Sequence, residues 1–131
     1  MTKAVVAAQY GGPEVLTVVD RDPGTPGPGE VLIDVEAAGT NPVDYKFYSG
    51  DFGSDPDNLP LPLGMEVAGV VAAVGPDAEG ISGPLAVGDE VIAYRVRGGY
   101  AEQVVTSAAN VVAKPATLSF EKAAGLLLVG A

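Results

Sequence analysis

The chain has 131 residues and a formal net charge of −10, from 7 basic and 17 acidic side chains, with no Cys, His or Trp. That length suits one domain with a core of its own, and the empty Cys and His columns exclude a Cys/His zinc site, a Ser-His-Asp triad, a cysteine nucleophile and a disulfide. Scattered basic residues give no Lys/Arg patch for a nucleic-acid backbone, and the longest apolar runs, 67–75 and 123–131, are nine residues each against roughly 20 for a membrane span. The apolar stretch behind Lys3 is shorter than the roughly 7–15 residues of a signal-peptide core. The expectation is a cytoplasmic protein that binds neither nucleic acid nor membrane.

Valine is the commonest residue, and 18 Gly and 11 Pro punctuate it at short intervals, the composition of an all-β domain rich in turns. Residues 4–9 and 15–20 read as short strands around the turn chemistry of Gly11-Gly12-Pro13-Glu14. Residues 22–29 form a Pro/Gly loop. From 30 to 38 the pattern alternates, with Val31, Ile33, Val35 and Ala37 on one face, which predicts a half-buried strand. Asn41 is a good N-cap, Pro42 suits the first helical position and Asp44 the helix start, so a short helix is expected from Pro42 to about Tyr48, ended by Gly50.

Residues 51–62 are polar and Pro-rich, hence a loop. Residues 67–74 predict an apolar strand in which Gly69 marks a bulge or a close backbone approach. A loop follows over 75–88. Strands are expected at 89–94 and 100–106, on either side of a Gly98-Gly99 turn, and at 111–113. From Ser119, a cap, Phe120, Ala123, Ala124, Leu127 and Leu128 sit at helical spacing, and the chain stops inside that run as though the helix were cut. The reading is seven short strands, one helix near residue 45 and one at the C-terminus, curved into a barrel more readily than a flat sandwich.

Several segments carry a family resemblance: Gly11-Gly12-Pro13-Glu14-Val15-Leu16, Asn41-Pro42-Val43-Asp44, Gly64-Met65-Glu66-Val67-Ala68-Gly69-Val70-Val71, Gly88-Asp89-Glu90-Val91, Gly99-Tyr100-Ala101-Glu102, and Lys114-Pro115 leading to Ala123-Ala124. In this order they resemble the N-terminal catalytic domain of the medium-chain dehydrogenase/reductase superfamily, in its zinc-independent quinone oxidoreductase (zeta-crystallin-like) branch. The resemblance implies a mainly β fold, a GroES-like partly open β-barrel carrying one wall of an active site. A Rossmann domain would follow and bind NADPH. No G-x-G-x-x-G and no Walker A is found in the chain, so no pyrophosphate cradle is visible. Residues 1–131 are therefore expected to be the N-terminal part of a longer, homodimeric reductase of quinones or enones, inactive alone. A stand-alone GroES-like binding or assembly module is the alternative, and a symmetric ring in solution would favour it.

Zinc-dependent relatives have a Cys where this chain has Asn41 and a His where it has Met65. The resemblance thus implies hydride transfer without zinc, to a carbon already electrophilic. Many relatives also carry an Arg where this chain has Tyr48. Lys46 is the first catalytic candidate, its ammonium placed to stabilise charge on a substrate carbonyl oxygen, with Tyr48 as a proton donor. Asn41 and Tyr45 are candidates for cofactor contact, Asn41 through its amide and Tyr45 by stacking. The plainer readings are a helix cap for Asn41, a solvated side chain for Lys46 and packing for the two tyrosines. Asp44 is expected to support the site, Phe47 to lie in the core, Glu66 to be a buried structural carboxylate, and Tyr94 and Arg95 to stand where a loop lines the cleft. Leu126–Leu128 are expected to pack towards the next domain.

Overall fold

A computed structural model describes residues 2–126. In chain order the elements are β1 (Thr2–Ala7), β2 (Leu16–Arg21), β3 (Glu30–Ala38), α1 (Pro42–Ser49), β4 (Leu61–Pro62) and β5 (Glu66–Val74). They continue with β6 (Glu79–Gly80), β7 (Gly83–Pro84), β8 (Glu90–Tyr94), β9 (Gln103–Ser107), β10 (Val111–Ala113) and α2 (Phe120–Ala124). A five-stranded sheet runs β10-β8-β5-β3-β9, a three-stranded sheet β2-β1-β4, and β6 pairs with β7. All pairings are antiparallel. Strands β9 and β10 are the two edges of the larger sheet, so the barrel stays open.

The two larger sheets are stitched together just before β9. Ala4 of β1 bridges Ala101, the Val5 N–H donates to the Tyr100 carbonyl at 2.7 Å, and the Glu102 N–H donates to the Lys3 carbonyl at 2.9 Å. The Glu102 carbonyl in turn accepts from the Val35 N–H at 2.9 Å. Residues 100–102, expected as the start of a strand, therefore serve as the seam, and β9 itself begins at Gln103.

The seven expected strands are all present, with ends shifted by up to three residues. Three further strands, β4, β6 and β7, lie inside segments expected to be loops. Each is two residues long, too short to show any periodicity. The expected single face of β3 is also corrected. The register shifts between Leu32 and Ile33 and between Val35 and Ala37 mark bulges; the first leaves its extra residue, Ala72, on β5, whereas the second leaves Glu36 extra on β3 and inverts the alternation there. Val31, Ile33, Val35 and Ala38 consequently face the main core, whereas Ala37 turns to the opposite face under α2.

The main core gathers Val31, Ile33, Val67, Val71, Val91 and Val111, all essentially fully buried. Each such side chain contributes roughly 1.5–3 kcal/mol. Strand β5 is buried on both faces over Glu66–Gly69, because Ala68 and Ile92 on the outer face are covered by Ala123 and Ala124 of α2. Helix α2 begins as expected at Ser119, whose hydroxyl accepts from the Lys122 N–H at 3.2 Å. Lys114 pins its approach. Its ammonium donates to the Leu118 and Pro115 carbonyls, pairs with Glu90 at 3.2 Å and lies 4.9 Å from the Phe120 ring centroid. Leu127 and Leu128, expected on that helix, lie outside the described residues.

Candidate functional site

Helix α1 forms where the sequence predicts it. Asn41 is the N-cap in an extended conformation, Pro42 occupies the first turn, and Gly50 ends the helix in the left-handed region at φ 91°. Asp44 reaches back so that its Oδ2 accepts the Asn41 N–H at 2.9 Å. The same oxygen accepts the Tyr100 hydroxyl at 2.7 Å. Tyr100 arrives from the seam between the sheets, so the helix start is tied to the β framework. Burial, then the hydrogen bond to Asp44 and the Asp44 charge, push the Tyr100 phenol well above its ordinary value. Gly64 permits this approach: its φ is 97°, and a Cβ there would meet the Tyr100 backbone N at 2.5 Å.

Two atoms at this corner are left over. Asn41 Nδ2 and Asp44 Oδ1 are both buried and have no hydrogen-bond partner among the described residues. Capping and coordinating a ligand compete for the Asn41 oxygen but leave its NH2 free, so the cap and site readings of Asn41 are compatible. Asp44 is 4% exposed, and a buried polar atom without a partner requires an explanation. Nδ2 is a donor and Oδ1 an acceptor, the two functions that a primary carboxamide matches with its carbonyl oxygen and NH2.

The other candidates are placed around the helix. Lys46 is exposed and makes no ion pair with a described residue. Tyr45 is 52% exposed, whereas Tyr48 is 9% exposed and packs with Ala7, Val15 and Leu63. Their rings meet edge-on at 5.3 Å. Helix α1 therefore presents Tyr45 and Lys46 to solvent and Tyr48 to the core. Phe47, expected in the core, is half-buried against the same cluster. Glu66 is buried beside Gly39 and the Ala124 carbonyl.

Phe47 also lines a cleft of about 510 Å³, within the range of small-molecule sites. The cleft runs from Tyr10 and Phe52 past Met65 to Arg95 and Arg97. Asn41, Tyr45, Lys46 and Tyr48 do not line it. Arg95 was expected at a cleft, and Tyr94, expected with it, is not on the lining. Tyr10, Phe52 and Arg97 were missed because they come from three separate loops with no shared motif. Met65 carried a signal, since it stands where zinc-dependent relatives have a metal ligand. The donor set does not suit zinc: the chain lacks His and Cys, and among the described residues no three acidic side chains converge as a metal site.

The alcohol dehydrogenase GroES-like domain model matches residues 27–116. The chain belongs to this family. A quinone oxidoreductase of Pseudomonas aeruginosa is 39% identical over 132 aligned positions, covering 99% of this chain and 38% of that protein. Among solved structures, the quinone oxidoreductase of Pseudomonas syringae pv. Tomato superposes with a TM-score of 0.88 at 40% identity, covering 99% of this chain and 38% of that one. Escherichia coli quinone oxidoreductase complexed with NADPH gives a TM-score of 0.84 at 32% identity, covering 93% of this chain and 36% of that one. In sequence and fold this GroES-like domain matches the N-terminal domain of zeta-crystallin-like reductases, and it spans under two fifths of the length of these relatives. Among the described residues no helix is long and apolar enough to cross a membrane.

Proposed function

We propose that this GroES-like domain is the substrate-side half of an NAD(P)H-dependent oxidoreductase that reduces quinones or activated alkenes without zinc. The reading carries with it a cytoplasmic, homodimeric enzyme whose cofactor is held mainly by a second, Rossmann domain. The observation that carries it is the match of nearly the whole chain, at 32–40% identity, to quinone oxidoreductases, one of them complexed with NADPH. Asn41 Nδ2, buried and unpartnered among the described residues, would donate to the carbonyl oxygen of the nicotinamide carboxamide once uncovered, and Asp44 would hold the helix start that carries it. Bound NADPH supplies hydride to the substrate.

The chain's own residues do the rest. The exposed Tyr45 ring offers a face for stacking. The Lys46 ammonium stabilises the negative charge that develops on the substrate oxygen. Lys46 returns a proton to that oxygen, and Tyr48, turned into the core, does not serve as the donor the sequence suggested. No zinc ligand set is available in this domain to polarise an alcohol, which leaves substrates whose carbon is already electrophilic.

Steady-state kinetics on the complete reductase test the reading. Asn41→Asp removes the donor, so KM for NADPH should rise about 3- to 10-fold, the worth of one hydrogen bond. Lys46→Ala should lower turnover with little change in that KM, and the 131-residue chain alone should not oxidise NADPH with a quinone. An unchanged KM in Asn41→Asp removes the carboxamide contact, and an unchanged turnover in Lys46→Ala removes Lys46 from the chemistry.

A further inference from the structure

The cleft beside α1 has a composition that the proposed hydride chemistry does not use. Its walls are apolar, with Phe47, Phe52, Leu61, Leu63 and Met65 among them. Phe52 stands 60% exposed, its ring edge-on to Phe47 at 5.3 Å. Aromatic surface left open in this way suits a flat, conjugated body.

The charge on the cleft lining is mostly positive. The chain has three arginines. Arg95 and Arg97 line the cleft, and the Arg21 guanidinium donates to the carbonyl of Gly98, another lining residue, at 3.4 Å. None of the three makes an ion pair with a described residue. Asp55 is the single acid on the lining, and its carboxylate already accepts the Asp57 N–H at 2.9 Å. A chain of net charge −10 thus places two of its three arginines on the lining of one cleft and the third against a lining carbonyl, with the Arg95 guanidinium 5.6 Å from the neighbouring Tyr94 ring centroid. Arg95 is also held at φ 55°, a left-handed conformation that residues with side chains seldom adopt and that clusters at functional positions.

We propose that the cleft binds a substrate with a planar conjugated body and an anionic group, such as a carboxylate. The body lies against Phe47 and Phe52, and the Arg95 and Arg97 guanidiniums hold the anion. This rests on the reading of the chain as the substrate-side domain of a quinone or enone reductase, and it narrows that substrate to an acidic one. Guanidinium forks match carboxylate oxygens in pairs, and because both arginines are exposed, added salt weakens the contact.

Calorimetric titration of the 131-residue chain with 2-naphthoate and with neutral 2-naphthamide tests this. The acid should bind at least ten-fold more tightly than the amide. The preference should vanish in Arg95→Gln/Arg97→Gln while amide binding persists, and that persistence shows the exposed substitutions have left the fold intact. Equal affinities in the unmodified chain, a preference that survives the double substitution, or binding of neither probe overturns the proposal. The cofactor's phosphates are a second source of anion: if NADPH displaces 2-naphthoate and itself binds more weakly to the double variant, the arginines serve the cofactor and the substrate assignment falls. Neither probe is a quinone, so these results do not depend on turnover. Arginine-dependent binding of 2-naphthoate, together with a complete protein that reduces no quinone with NADPH, upholds the acidic cleft and sinks the reductase reading.

Discussion

Asp44 takes two hydrogen bonds on one oxygen and none on the other, so losing either donor leaves a buried carboxylate short of partners. Tyr100→Phe should cost about 1–3 kcal/mol at pH 7.5, the usual loss for a hydrogen bond to a charged group. The same tyrosine makes stability depend on alkaline pH. Burial, the Asp44 hydrogen bond and the Asp44 charge hold its phenol above the ordinary value of 10.0. The unfolded chain releases that proton near pH 10 while the folded chain keeps it. The tyrosine's contribution is therefore complete below that pH and is lost as pH rises above it. Urea unfolding of the unmodified chain and of Tyr100→Phe should differ less at pH 10.5 than at pH 7.5; an equal difference at both would remove Tyr100 from the titration. The helix cap was legible in the sequence because Asn41, Pro42 and Asp44 act within one turn. The Tyr100 bond was not, because its partners are 56 positions apart and nothing local announces it.

Among the elements, β3 and β5 show how far a periodic pattern can be read. The alternation over 30–38 located β3, and the apolar run located β5, but the bulges belong to the pair and appear in neither strand alone. Gly69 was the one local hint. It stands opposite Val35, and a Cβ there would fall on the Asp34 carbonyl oxygen. Gly69→Ala should force the strands apart and cost about 1–3 kcal/mol or more, read as a lower midpoint in thermal unfolding. An unchanged midpoint would show that the bulge absorbs the methyl group. Helix α2 was legible through its Ser119 cap and its small residues. The Lys114 clamp that seats it was not, because the Leu118 and Pro115 carbonyls carry no side-chain signature.

For the molecule as a whole, charge is the dominant sequence-level fact. With 17 acidic side chains against 7 basic ones and two ion pairs among the described residues, like charges repel across the surface. Raising sodium chloride from 20 mM to 0.5 M should therefore lift Tm by a few degrees; a flat Tm would mean that the acids are too far apart to interact. The mainly β fold was legible because strand periodicity and turn residues recur along the whole chain. The cleft was less so, since its walls come from Tyr10, from residues 47–65 and from residues 95–98 and meet only after folding. The division of one edge of β1 bears on the order of assembly. That edge is met by Leu61 and Pro62 and, further along, by Ala101. Strand β1 thus gains full cover for that edge only when residues 61–62 and residue 101 are in place. Contacts of such long range make closure late and slow, and the Asp44–Tyr100 corner, which depends on the same seam, is completed only when the domain as a whole has closed.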